Sequence, residues 1–180
     1  MKNTILSFFA AASALAFQSC SYREYAPADY PAPVIYLAAT TVSEEGIITL
    51  DSSSDVYFLN EAKTEFGVHM AVMQSGVRLG SYRVELNYAN SKVNMLIDDG
   101  TFAVGTLPLP RAAASFPEYV DLTPSDDTGA FDLKFNTSYL KDPEFLGKKF
   151  AMALTISCED GTVNPDLDSI IFLIDPSLIY

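Results

Sequence analysis

Tryptophan is absent from the sequence, histidine occurs once and cysteine twice, and 11 basic residues face 23 acidic ones. Each shortage removes a class of function. Without Trp the chain lacks the largest aromatic platform for a sugar ring, and that role falls to its 10 tyrosines. One His and one Cys beyond the leader cannot supply a usual zinc ligand set. The two thiols are Cys20 and Cys158, so no intrachain disulfide forms if Cys20 is modified. The formal net charge is −12 and no Lys/Arg-rich run exists, which excludes nucleic acid as a partner. No apolar run reaches the ~20 residues that a bilayer crossing requires. Disorder is not expected either, because 49% of the residues are hydrophobic.

What the chain does have begins at its first residue. Met1 to Cys20 reads MKNTILSFFAAASALAFQSC, with Lys2 as a positive start and an apolar run from Ile5 to Phe17. That run has the length of a signal peptide. Ser19 before Cys20 is the arrangement that a bacterial lipoprotein signal peptidase cuts, between Ser19 and Cys20. The Cys20 thiol then carries a diacylglyceryl group, and two or more acyl chains hold a protein stably to a membrane. An ordinary secretory signal, with Cys20 left unmodified, is the other reading. Arg23 and Glu24 follow at once, which argues against a retained membrane helix.

Residues 20–33 (CSYREYAPADYPAP) show no apolar periodicity and read as the lipidated cysteine and a short tether. From residue 34 to 180 the texture is that of one β-domain. VIYLAATT, IITLD, VYFLN and FGVHMAVMQ are rich in β-branched and aromatic residues and are separated by polar turns. In SYRVELNY, Tyr82, Val84, Leu86 and Tyr88 alternate with Arg83, Glu85 and Asn87. Asn90 to Ile97 is the one expected helix, capped by Asn90 or Ser91 and stopped by Gly100. EYVDLT and AFDLKFNT alternate again. FAMALTISC is apolar on both faces, as a central strand would be, and SIIFLID closes the series. The fold class expected is all-β, an antiparallel immunoglobulin-like β-sandwich with one short helix, preceded by a signal peptide and tether.

With these strands in place the chain resembles the N-terminal β-sandwich of Bacteroidetes surface lipoproteins, the group called domain of unknown function 1735. The resemblance rests on Cys20, on the Pro33 to Leu37 opening (PVIYL), and on YRVELNY with its following helix. It continues through LPLP (Leu107 to Pro110), EYVDLTP, FDLKFNTSYLK, FAMALTISCEDG and SIIFLID. It covers essentially the whole mature chain and implies a β-sandwich near systems that capture and degrade glycans. Members commonly carry a further binding or hydrolase module. The sequence ends at Tyr180, so the reading expects no such module here. The group supplies no functional residues to carry over.

The candidates for chemistry are few. Glu44-Glu45, Asp98-Asp99 and Asp126-Asp127 are adjacent carboxylate pairs, but neighbours in a turn point apart and do not flank a glycosidic bond. His69 sits in mid-strand without a nucleophile elbow, so it reads as a structural or surface residue. Cys158 reads as a buried free thiol. Asn164, Asp166 and Asp168 place oxygens at alternate positions of a loop and form a weak calcium candidate; otherwise no metal and no cofactor is expected. Tyr119 and Tyr139, beside irregular links, are the tyrosines expected to face a ligand.

The function expected is that of a non-enzymatic, lipid-anchored outer-membrane lipoprotein, facing the cell exterior or else the periplasm. It would bind the membrane through its anchor and serve as an adhesin-like accessory in glycan capture. The alternative is a structural or interaction subunit, fimbria-like or part of an outer-membrane complex, which contacts an envelope protein. VIYLAATT or SIIFLID would then act as edge strands for a partner.

Overall fold

The computed structural model describes residues 32–38, 46–76 and 79–180. Ser19, Cys20 and most of the tether lie outside them, as do Glu44 and Glu45.

Strand formation follows the two-residue alternation. Along the chain come β1 (Val34–Leu37), β2 (Ile47–Leu50), β3 (Tyr57–Leu59), β4 (Phe66–Ser75) and β5 (Tyr82–Tyr88). Helix α1 (Asn90–Asp98) follows, then the short strands β6 (Leu107–Pro108) and β7 (Ala114–Ser115), β8 (Tyr119–Leu122) and β9 (Thr128–Phe135). A single helical turn, α2 (Thr137–Leu140), precedes β10 (Phe150–Ser157), β11 (Thr162–Val163) and β12 (Ser169–Ile174).

Among the described residues the strands form two six-stranded sheets. The first runs β11-β1-β4-β9-β7, with β3 joined to β4; the second runs β2-β12-β10-β5-β8, with β6 joined to β10. The chain is therefore an all-β sandwich. Most neighbours are antiparallel, but β1–β11, β2–β12 and β6–β10 are parallel. Parallel partners are necessarily distant in sequence, so local turn signals do not reveal them.

Between the sheets, Phe66, Val68, Met70 and Val72 of β4 and Phe131, Leu133 and Phe135 of β9 meet the second sheet. That sheet contributes Val84 and Leu86 of β5, Phe150, Met152, Leu154 and Ile156 of β10, and Ile170, Phe172 and Ile174 of β12. On the outward face of β10, Ala151 and Ala153 form a second buried cluster with Val93 of α1 and with Phe102. Small side chains there let the helix lie close to the sheet. This second apolar layer explains why β10 is apolar on both faces. At one side the sandwich nearly closes: a Cβ at Gly129 of β9 would come within 2.9 Å of the Val120 Cβ of β8.

Two local expectations change. Neither Asn90 nor Ser91 caps α1; Ala89 holds the N-cap position with no side-chain bond. The helix leaves β5 directly, and the Ala89 N–H is already bound to the Ala153 carbonyl at 3.0 Å, so the sheet anchors that end. SIIFLID is not an edge. β12 lies between β10 and β2, and β1 lies between β4 and β11. The Leu37 N–H also donates to the Leu167 carbonyl at 3.0 Å. Long-range parallel partners cover both strands, so neither offers a bare edge for strand addition.

After β12, Asp175 caps a final 3₁₀ turn (Pro176–Ile179) by accepting from the Ser177 N–H at 3.0 Å. Burial opposes its ionisation, but the Ser177 hydroxyl, the Ser177 N–H and Lys149 together hold its carboxyl below the usual value. Lys149 Nζ lies 3.5 Å away. A folded pKa below the unfolded one contributes stability above about pH 3.9, and that contribution is lost as pH falls through the folded value. Asp175→Ala is expected to cost about 1 kcal/mol at neutral pH. The gap from the parent should narrow below the acidic end of that window. Urea unfolding at pH 7 and pH 3 checks both parts.

Candidate functional site

The site forms where a ladder runs out. β8 pairs with β5 from Tyr82↔Leu122 to Glu85↔Tyr119, and the Leu86 N–H adds a bond to the Glu118 carbonyl at 2.8 Å. The next residue back is Pro117, which has no N–H to donate. The chain before it is held by other partners. The Tyr88 hydroxyl donates to the Leu109 carbonyl, and residues 111–113 make a 3₁₀ turn. A notch of about 450 Å³ opens beside the end of β5, lined by Arg83, Glu85, Asn87, Arg111, Glu118 and Tyr119 among others.

Its side chains are held in place. Arg83 makes a forked contact to Asp121, Nε to Oδ1 at 3.0 Å and Nη2 to Oδ2 at 3.4 Å. The same guanidinium lies 4.0 Å from the centre of the Tyr119 ring. Hydrogen bonding to Asp121, and then its charge, raise the Arg83 pKa above its ordinary value. Such an exposed pair adds little stability, so its main consequence is orientation. Alongside, Asn87 Nδ2 donates to Ser157 Oγ at 3.0 Å, and Ser157 Oγ donates to Glu85 Oε2 at 3.3 Å. On the opposite wall Arg111 rests 4.0 Å over the Phe116 ring, while its Nη1 donates to the Ala114 carbonyl at 2.6 Å. Burial pushes the Tyr88 hydroxyl pKa up, which keeps it a proton donor. A second cavity of about 490 Å³ adjoins at Arg83 and is lined by Ser81, Tyr82, Asp121, Leu122 and Thr123.

Of the expected ligand-facing tyrosines, the notch contains Tyr119, a residue that is 44% exposed. Tyr139 sits in α2 and packs against Phe145 and Phe150, with centroids 5.1 and 5.8 Å away. It is half-buried and does not line the notch. In the calcium candidate, Asn164 Oδ1 accepts from the Asp166 N–H at 3.0 Å, and Asp168 Oδ1 faces Lys92 Nζ at 3.6 Å. A loop N–H and Lys92 of α1 thus occupy oxygens that a cation would take. Among the described residues, no three His, Cys, Asp or Glu side chains converge as a metal group.

The remaining candidates lie apart from the notch. His69 Nδ1 is 2.8 Å from Asp132 Oδ1, and its ring stacks on Phe58 at 4.7 Å, on the outward face of the first sheet. Asp99 accepts from the Thr101 N–H, and Asp126 accepts from the Thr128 N–H, as turn residues do. Cys158 is a free, half-buried thiol. Sequence reasoning missed Arg83, Asn87, Arg111 and Glu118 as a group. Their signal was present in part: Arg83, Glu85 and Asn87 occupy the outward positions of the most regular strand, and Pro117 marks where its neighbour stops.

No family model matches the sequence, and no curated protein matches it. Solved structures do. One is a multidomain protein including domain of unknown function 1735 from Bacteroides ovatus, with TM-score 0.56 and 15% identity over 78% of this chain and 44% of that one. Another is an auxiliary nutrient-binding protein from Bacteroides thetaiotaomicron, with TM-score 0.54 and 18% identity over 73% of this chain and 44% of that one. A third is an endoglycosidase of the same species with a Man5GlcNAc product, with TM-score 0.53 and 9% identity over 78% and 30%. The chain spans less than half the length of each of these three structures. At such identities the likeness is one of fold: the sandwich is of the kind found in a Bacteroides ovatus protein that includes domain of unknown function 1735.

Proposed function

We propose that this protein is a non-enzymatic glycan-binding accessory of the cell envelope, and that the notch at the end of β5 and β8 is its binding site. The observation that carries the reading is an exposed Tyr119 ring on the rim of a cavity walled by fixed donors and acceptors. A pyranose presents an apolar face of C–H groups and a rim of hydroxyls that both donate and accept. Arg83 covers one face of the Tyr119 ring; the part of Tyr119 left exposed suits the apolar face, and Arg83, Asn87, Arg111, Glu85 and Glu118 suit the hydroxyls. The fold's occurrence in a nutrient-binding protein and in an enzyme with a glycan product supports the same reading. Glu85 and Glu118 do not make the notch a glycosidase centre in this reading: Glu85 is engaged by Ser157, and function follows the site rather than the fold.

Tyr119→Ala is expected to weaken glycan retention about tenfold, equivalent to about 1.4 kcal/mol, with the unfolding midpoint unchanged. Affinity electrophoresis in gels containing mannan, xylan or starch reads the first, and urea unfolding the second. Retention by the parent protein that Tyr119→Ala leaves untouched would remove the notch from the reading.

The anchor belongs to the same proposal. Cys20, acylated after cleavage behind Ser19, holds the domain to the outer membrane with its body toward the exterior. Cys20→Ser is expected to move the protein from the membrane fraction to the soluble fraction and to abolish incorporation of a labelled fatty acid. Protease treatment of intact cells, beside a periplasmic control, should cut the anchored domain and spare the control. A domain protected until the outer membrane is opened would reverse the orientation.

A further inference from the structure

We infer that the ligand is a linear, neutral oligosaccharide several residues long, laid along β5 and β8 with Arg83 beneath its middle. This rests on the glycan-binding reading and deepens it. The notch and its neighbouring cavity share Arg83 as a lining residue and together extend from Ser81 to Tyr88. At a strand rise of about 3.3 Å per residue those seven steps cover about 23 Å, much longer than one pyranose ring. Arg83 lies where the two meet: its guanidinium is laid over the Tyr119 ring of the notch and forked onto Asp121 of the second cavity, so a chain occupying both would cross it.

The chemistry changes along this line in a way that suits a chain. At the Tyr88 end are Asn87, Glu118 and Arg111, which can fix hydroxyls by direction. At the other end are the exposed Ser81 and the half-buried Tyr82, with Asp121 already forked to Arg83, a surface with fewer free polar groups for further rings. Charge favours a neutral glycan. Asp121 already pairs Arg83, while Glu85 and Glu118 share the notch with Arg111, on a chain of net charge −12. An anionic sugar would meet two carboxylates for one unpaired guanidinium.

The test is a set of ladders of mannosyl, xylosyl and glucosyl oligosaccharides from dimer to hexamer, titrated calorimetrically against the purified parent and Ser81→Ile. Ser81 is exposed, so a branched aliphatic side chain there would crowd the second cavity without entering the core and without offering a ring for a sugar to stack on. In one ladder the parent should bind the hexamer at least about tenfold more tightly than the dimer, and Ser81→Ile should erase that gain. Affinity independent of length, or a length gain that survives Ser81→Ile, would overturn the inference and leave the notch as a site for a short ligand. Tighter binding of uronic-acid oligomers than of every neutral ladder would overturn its charge assignment. Absence of binding to all ladders would remove the glycan reading itself, and this inference with it.

Discussion

Replacing Phe172 with alanine is expected to destabilise the protein by about 4 kcal/mol. Phe172 is fully buried in β12, paired with Met152 on one side and Ile48 on the other. Its ring lies 6.2 Å from that of Phe135 of β9, edge to face, across the gap between the sheets. Phe135 in turn lies 5.3 Å from Phe66, and Phe66 lies 5.6 Å from Tyr57. This run of rings joins the second sheet to β9, β4 and β3 of the first. Alanine would remove both the transferred apolar surface and one end of that run, and sheets on either side can collapse only partly into the space. Phe172→Leu should cost far less, about 1 kcal/mol, because it keeps most of the volume. A double-mutant cycle of Phe172 and Phe135, followed by urea unfolding, should show coupling of about 0.5–1.5 kcal/mol. Additive losses would mean that the rings do not communicate across the interface.

Gln74→Leu is the second large effect, at about 3 kcal/mol, or roughly 10 °C in Tm. Gln74 ends β4 on the core side and is 2% exposed. Its amide nitrogen donates to the carbonyls of Gly80 and Thr123, both at 3.0 Å, and its oxygen accepts from the Gly80 N–H at 3.0 Å. One side chain therefore ties the first sheet to the segment entering β5 and to the turn leaving β8. Leucine fits the volume but leaves a buried N–H and two carbonyls without this partner, which costs more than the lost bonds themselves. Gln74→Glu separates the two sides of the network. It keeps an acceptor for Gly80 and loses both donors, so at neutral pH it should also be destabilised, and protonation should restore part of the loss. Equal stability of parent and Gln74→Leu would show that water replaces the amide there.

Much of this was legible in the residues. The alternation in SYRVELNY and AFDLKFNT set the inward and outward sides of β5 and β9, and the structure agrees residue by residue. The two-faced apolarity of FAMALTISC marked the centre of a sheet, and α1 spans Asn90–Asp98 with Gly100 beyond its end at φ +81°. The short strands β6, β7 and β11, two residues each, carry too little pattern to be seen. They exist because longer strands already in place offer them partners. Gln74 shows a different limit. It follows Phe66, Val68, Met70 and Val72 at the same two-residue step, but nothing near it in sequence identifies Gly80 and Thr123 together as its partners.

The site divides in the same way. Tyr119 was legible as an aromatic beside an irregular link. Tyr139 carried the same signal, and its packing against Phe145 and Phe150 distinguishes it. The sequence by itself determined the all-β class, the inward faces of the long strands and the place of the helix, because those depend on periodicity within a few residues. The tertiary structure alone decided that SIIFLID is interior, that Arg83 lies across Tyr119, and that Arg111 and Glu118 wall the end of β5. Those outcomes depend on which strands become neighbours. That choice is made by burial of the whole core, and no short window of the chain contains it.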